Sequence, residues 1–231
     1  LHFYIAVPEG SATEVDAAQL EELVNALLRT WSDKLGDGLA EVVSQEDAAE
    51  LSDFYSQAFN AEYRAATDPG IAAEDVLHFE AMRADRREIS IAFANRGAST
   101  PVAGIEGATE LKVYLLGKRL ILSDFMPILE DVGLRVIAAN PYEVELLNES
   151  GTIYIFAVQD RKEHQLAVDG RGELLSEIIL ASRSGDVVSD SLNALVSSAG
   201  LHWREVDVLR GYLGYAFQIG AVPSRVSIRA A

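Results

Sequence analysis

The stretch that decides the fold is LILSDFMPILEDVGLRVI, residues 120–137, where a strand end, a helix, a glycine stop and a second strand follow one another directly. Ser123 stands where a helix N-cap belongs, and Asp124 places negative charge beside the free N–H groups of the first turn. Phe125, Ile128, Leu129 and Val132 recur at three- and four-residue spacing and so line one helix face. Gly133 can take the left-handed conformation that closes such a helix, and Leu134 opens an extended apolar run. The predicted unit is β-α-β, and it holds no nucleophile, base or metal ligand in a recognisable pattern.

Working outward, the period is two on both sides. Upstream, Ile89, Ile91 and Phe93 alternate with Glu88, Ser90 and Ala92, and Leu111, Val113 and Leu115 continue as the antiparallel partner beyond a Gly- and Ser-bearing loop at 97–107. Downstream, strands are expected near Leu134 to Ala138 and Tyr142 to Leu147. Asn148-Glu149-Ser150-Gly151 then turns the chain into TIYIFAV, Thr152 to Val158, which is apolar on both faces. Such a strand belongs at the centre of a sheet or against another module.

Helical periods flank this sheet. Leu1 to Val7 reads as a strand broken at Pro8-Glu9-Gly10, and its position at residue one fits the end of a preceding module. Ser11 and Glu14 have capping-box spacing, ahead of a helix through Val15, Leu20, Leu23, Leu27 and Trp31 that Gly36 and Gly38 interrupt or fray. Leu51, Phe54, Tyr55 and Phe59 mark a second helix, Asp68-Pro69-Gly70 a turn, and Ala73 to Ala84 a third helix. After Gly170 three stripes follow: Leu174 to Ile179, Val187 to Val196, and Trp203 to Phe217, separated by Gly185 and Gly200. Gly211 and Gly214 inside the last helix each cost about 1 kcal/mol relative to alanine, which implies tight packing or local weakness there.

A chain of 231 residues with 49% apolar and 24% charged residues has enough material for a sizeable core. Its formal charge of −17 repels phosphate backbones and anionic membranes, so neither nucleic acid nor membrane is an expected partner. The absence of cysteine removes disulfides and thiolate chemistry. No stretch approaches the roughly 20 apolar residues of a membrane span, and a soluble, cytoplasmic protein is expected.

The search for chemistry returns little. His2, His78, His164 and His202 are scattered, with no zinc-ligand spacing. There is no G-x-S-x-G, S-x-x-K or P-loop, and Gly170-Arg171-Gly172 reads as turn glycines rather than a dinucleotide loop. Glu143 and Glu145 share one face of a strand, the pattern of a solvated edge, and Glu130 with Asp131 is the other carboxylate pair. Lys112, Lys118 and Arg119 read as surface charges near the sheet, and Trp203 as a packing anchor.

Four segments carry a family resemblance: AFNAEYRAATDPGIAAEDV (Ala58 to Val76), LKVYLLGKRLILSDF (Leu111 to Phe125), the opening stretch, and SAGLHWREVDVLRGYLGYAFQIGAVPSRVSI (Ser198 to Ile228). In order and over most of the chain, these resemble the non-catalytic N-terminal half of the large NAD-dependent glutamate dehydrogenases. The resemblance implies an α+β fold, an ACT-like (ferredoxin-like) antiparallel sheet flanked by helical segments. It divides the chain into a terminal strand of a preceding module (1–10), a helical spacer (11–86), an ACT-like module (87–165) and a helical segment leading toward a catalytic domain (166–231). It also implies no catalytic or cofactor-binding residue in this chain, with NAD used by the parent enzyme to convert glutamate to 2-oxoglutarate and ammonia. Partners would be other domains of the same chain and other subunits of a homo-oligomer. An amino-acid effector is a further expectation, at the turn after the first ACT-like strand: Gly117, Lys118, Arg119, Ser123 and Asp124. Assembly ranks above effector sensing because of the doubly apolar strand. The alternatives are a stand-alone ACT-like amino-acid sensor, or a metal-free hydrolase with two perturbed carboxylates in one pocket.

Overall fold

A computed structural model describes residues 29–96, 102–147 and 149–220, together with Glu21. The strand expected at Leu1 to Val7 and the Ser11 capping box lie outside the described residues.

The first described layer is helical: α1 (Trp31–Ala40), α2 (Gln45–Ala58), α3 (Ala61–Ala66) and α4 (Pro69–Ala84). Each start has a local cause. The side chains of Thr30, Ser44, Asn60 and Asp68 accept hydrogen bonds from backbone N–H groups of the following turns, and Pro69 needs no donor at the first position of α4. Trp31 therefore opens a helix rather than ending one. Gly36 and Gly38 lie inside α1 instead of fraying it. A Cβ on Gly38 would stand 3.1 Å from the Ala73 Cβ and 3.5 Å from the Gly70 Cα, so glycine is what lets α1 and α4 approach.

The second layer is one four-stranded antiparallel sheet of β1 (Ile89–Ala94), β2 (Thr109–Leu116), β3 (Arg135–Glu145) and β4 (Ser150–Gln159), in the order β1-β2-β4-β3. Helix α5 (Leu122–Asp131) carries the chain from β2 across to β3. After β4 come α6 (Gly172–Ser184), a single 3₁₀ turn at Ser191–Asn193, α7 (Ala194–Ala199) and α8 (Trp203–Gln218). β2-α5-β3-β4-α6 is the β-α-β-β-α part of a ferredoxin-like unit. The fourth strand position, beside β2, is filled by β1 from upstream rather than by a strand after α6.

Two differences from the sequence expectation have clear causes. The two strands expected between Leu134 and Leu147 are one, with a register shift between Val136 and Ala138 that absorbs Ile137 as a bulge. Pro141 is tolerated because β3 is an edge strand, where a missing N–H costs no second ladder. Ser123 is not the N-cap of α5. Ile121 takes that place without a side-chain cap, its carbonyl accepting from both Asp124 and Phe125 N–H at 3.1 Å, so the helix has begun before Ser123. The glycine stop is as expected: Gly133 has φ +89°, and a Cβ there would meet Ser197 Oγ at 3.0 Å.

Both faces of the sheet are covered. Tyr114, Leu116, Val144, Ile153, Ile155 and Ala157 pack with Tyr55, Phe59, Tyr63 and Phe79 of the helical layer. Leu111, Val113, Leu115, Phe156 and Val158 pack on the other side with Phe125, Leu129, Leu175, Ile178 and Ile179. The doubly apolar strand β4 is thus accounted for within this chain: it lies between β2 and β3, under helices on each side.

Helix α8 differs from the rest. His202 caps it through Nδ1, which accepts the Arg204 N–H at 3.1 Å, and Val206 is its one buried residue. A Cβ at Gly211 or Gly214 would meet nothing within 4 Å, so these glycines do not reflect tight packing inside the described residues. Val208, Tyr212, Tyr215 and Ile219, at helical spacing along one face, are 59%, 70%, 62% and 61% exposed.

Candidate functional site

The densest chemistry is a polar cluster between the helical layer and the sheet. Asp75 of α4 is fully buried, and its two oxygens accept four hydrogen bonds. Lys112 Nζ donates to both at 2.7 Å, Tyr114 Oη donates to Oδ1 at 2.6 Å, and Tyr63 Oη donates to Oδ2. Lys112 is 2% exposed, which corrects its reading as a surface charge. On β2, Glu110, Lys112 and Tyr114 alternate with Leu111 and Val113, so the polar side of the strand faces the helical layer and is sealed by it.

The cluster leads outward by alternating charge. Glu110 Oε1 lies 3.8 Å from Lys112 Nζ and accepts from Arg96 Nε at 2.9 Å. Arg96 then forks onto both oxygens of Glu74 at 3.0 and 2.7 Å. Among the described residues no buried side-chain nitrogen or oxygen lacks a partner. Burial, and then the charge of Asp75, raise the Tyr63 and Tyr114 hydroxyls well above the ordinary phenol range, so both remain donors. A carboxylate with four donors already in place has no lone pair left for a substrate proton. The cluster is therefore a fastening between layers, with the chemistry of a lock.

His78 stacks on Tyr114 with ring centroids 4.6 Å apart. Burial lowers its pKa below the ordinary 6.5, and the Arg96 hydrogen bond lowers that of Glu74 below its ordinary 4.5. Both groups bind protons more readily in the unfolded chain, so both favour folding at neutral pH and lose that contribution as pH falls, His78 first. The urea midpoint is expected to drop between pH 7.5 and 5.5, and His78→Gln to flatten that drop. An equal slope in the variant would remove His78 from the account.

The expected effector turn is only partly gathered. Gly117 has φ +65° and donates its N–H to Ser150 O at 2.8 Å; Lys118 pairs with Glu88. Both border a cleft of about 670 Å³ bounded on its other side by Arg83 in the last turn of α4 and by Arg86 and Arg87 just beyond it. Arg119 instead points to Glu143 at 3.5 Å, both exposed, while Ser123 Oγ donates to Asp124 Oδ1 at 3.2 Å; none of these three lines that cleft. No sequence signal announced the arginines, because a helix end rich in Arg is an ordinary complement to the helix dipole.

Other candidates are placed apart. His164 lies beside Asp160 and His202 beside Glu177, and among the described residues no group of three or more His, Asp or Glu could hold a metal ion. Among the described residues, the carboxylates whose pKa clearly moves, Asp33, Glu74 and Asp160, all move down, the opposite of what a two-carboxylate hydrolase needs in its acid.

Comparison with known proteins matches three consecutive family models. These are glutamate dehydrogenase helical motif 2 over residues 39–82, the glutamate dehydrogenase ACT3 domain over 98–171, and glutamate dehydrogenase helical motif 3 over 187–231. The chain is 30% identical over 220 residues to the NAD-specific glutamate dehydrogenase of Pseudomonas aeruginosa, covering 95% of this chain and 13% of that protein. Its similarity to the enzyme of the same name from Halomonas elongata is 30% over 219 residues, with the same 95% and 13% coverage. For the Mycobacterium tuberculosis enzyme it is 27% over 240 residues, 95% of this chain and 14% of that protein. The chain thus spans about one-eighth of the length of these relatives. Matched in order over most of its length, the chain belongs to the glutamate dehydrogenase family, of which it comprises helical motif 2, the ACT3 domain and helical motif 3.

Proposed function

We propose that this chain is a non-catalytic assembly and regulatory region of an NAD-dependent glutamate dehydrogenase. The full enzyme would convert L-glutamate, NAD and water to 2-oxoglutarate, ammonia and NADH, with glutamate and NAD held by parts of the polypeptide other than this one. Its partners here would be further domains of the same chain and neighbouring subunits of a homo-oligomer in the cytoplasm. Among the described residues no helix is long and apolar enough to cross a membrane.

The observation that carries the reading is the exposed stripe on α8. The doubly apolar strand no longer argues for an outside partner, since helices of this chain cover both faces of the sheet. Among the described residues Val208, Tyr212, Tyr215 and Ile219 line up as an exposed apolar stripe, of the kind that marks docking surfaces. Relatives several times longer supply chain to cover it.

The purified chain, supplied with glutamate and NAD, is expected to form no NADH. Steady NADH formation by homogeneous material would place the reaction in this region and overturn the proposal.

A further inference from the structure

We infer that the cleft between the end of α4 and the loop after β2 is a binding site for a small oxyanion, carboxylate or phosphate, with Arg86 as its anchor. The inference stands independently of the assembly reading.

The sequence Arg83-Ala84-Asp85-Arg86-Arg87 ends α4. There the Arg87 N–H donates back to Met82 O at 2.8 Å and the Arg86 N–H to Arg83 O at 3.3 Å, a closure that forces Arg86 to φ +54°. Glycine or asparagine ordinarily fills such a left-handed position, because any Cβ there is crowded. An arginine kept in that conformation carries backbone strain, which is a feature of ligand clamps.

Charge pairing singles out the same residue. Arg83 donates to Glu80 at 2.9 Å, Arg87 to Asp85 at 2.6 Å, and Lys118 pairs with Glu88. Arg86 has no carboxylate partner among the described residues, yet it lines the cleft with those three cations. The lining holds four cations, Arg83, Arg86, Arg87 and Lys118, against three carboxylates, Glu80, Glu88 and Glu149, so on a chain of net charge −17 this is a locally positive place where an anion is not repelled. A guanidinium fork matches two oxygens of a carboxylate or a phosphate alike. About 670 Å³ is room for a small molecule. The cleft is open to water, so binding should weaken as salt rises.

The test is titration calorimetry of the full 231-residue chain at low salt with sodium malonate and, separately, sodium phosphate, against a sodium chloride control. Saturable heat in the millimolar range or tighter with either anion is expected, and the two arms tell carboxylate from phosphate. Arg86→Gly should weaken that binding at least tenfold while leaving the thermal midpoint unchanged or higher, since glycine relaxes the backbone. Heat no different from chloride in both arms, or unaltered affinity in Arg86→Gly, would overturn the site.

Discussion

Lys112→Met should lower the unfolding free energy by about 3–5 kcal/mol, because it leaves the buried Asp75 carboxylate without its counter-charge. Two tyrosine hydroxyls still point at Asp75, but neither can supply a proton readily, since both are held well above the ordinary phenol range. The companion variant decides between lost packing and lost pairing. Asp75→Asn on the Lys112→Met background removes the orphaned charge and keeps an acceptor for the hydroxyls, so it should restore part of the loss. A double-mutant coupling of about 1–3 kcal/mol is expected from urea denaturation. Additive effects of the two substitutions would mean that the pair does not act as a unit.

Paired substitution of the α8 stripe, Tyr212→Glu with Tyr215→Glu, should act on association and spare the fold. Both side chains are well over half exposed, so the isolated chain should change stability by no more than about 0.5 kcal/mol. On the proposed docking, the same change in the longer enzyme would place two carboxylates in an apolar contact. Buried interface tyrosines often contribute about 2 kcal/mol each, so subunit or domain association should weaken tenfold or more. Light scattering over a dilution series of the full-length protein would show dissociation at higher concentration than in wild type. An unchanged mass at every concentration would free α8 of any docking role.

Much of the architecture could be read from periodicity. The alternation at Ile89 to Phe93 and Leu111 to Leu115 appears as β1 paired with β2, with Ile91 opposite Val113. Gly133, Gly185 and Gly200 end helices with positive φ, as their positions imply. Starts were less legible than stops: Ser123 looks like a cap, but the packing of Phe125 and Leu129 sits on a helix that begins at Leu122. The buried lock was missed because lysine and aspartate are rarely interior. A signal was present nonetheless. Asp75 shares a helix face with Ala72, Val76 and Phe79, all buried, and a lone acid on an apolar stripe requires a buried partner. Its partner, 37 positions away, becomes neighbouring only when α4 lies across β2, which no local pattern encodes.

The residues expected to form an effector turn are only partly brought together by the fold. Gly117 and Lys118 face a cleft, whereas Arg119, Ser123 and Asp124 follow the strand and helix away from it. What completes the cleft arrives from α4 through the tertiary fold.

The proposed docking of this region against other parts of a larger enzyme would use the apolar face of α8 that the described residues leave exposed. Hydrogen exchange across α8, residues 208–218, tests it most directly when the isolated chain and the full-length enzyme are compared at equal pH and temperature. Marked slowing of exchange in the full-length enzyme is the predicted result. Identical exchange in both would contradict it.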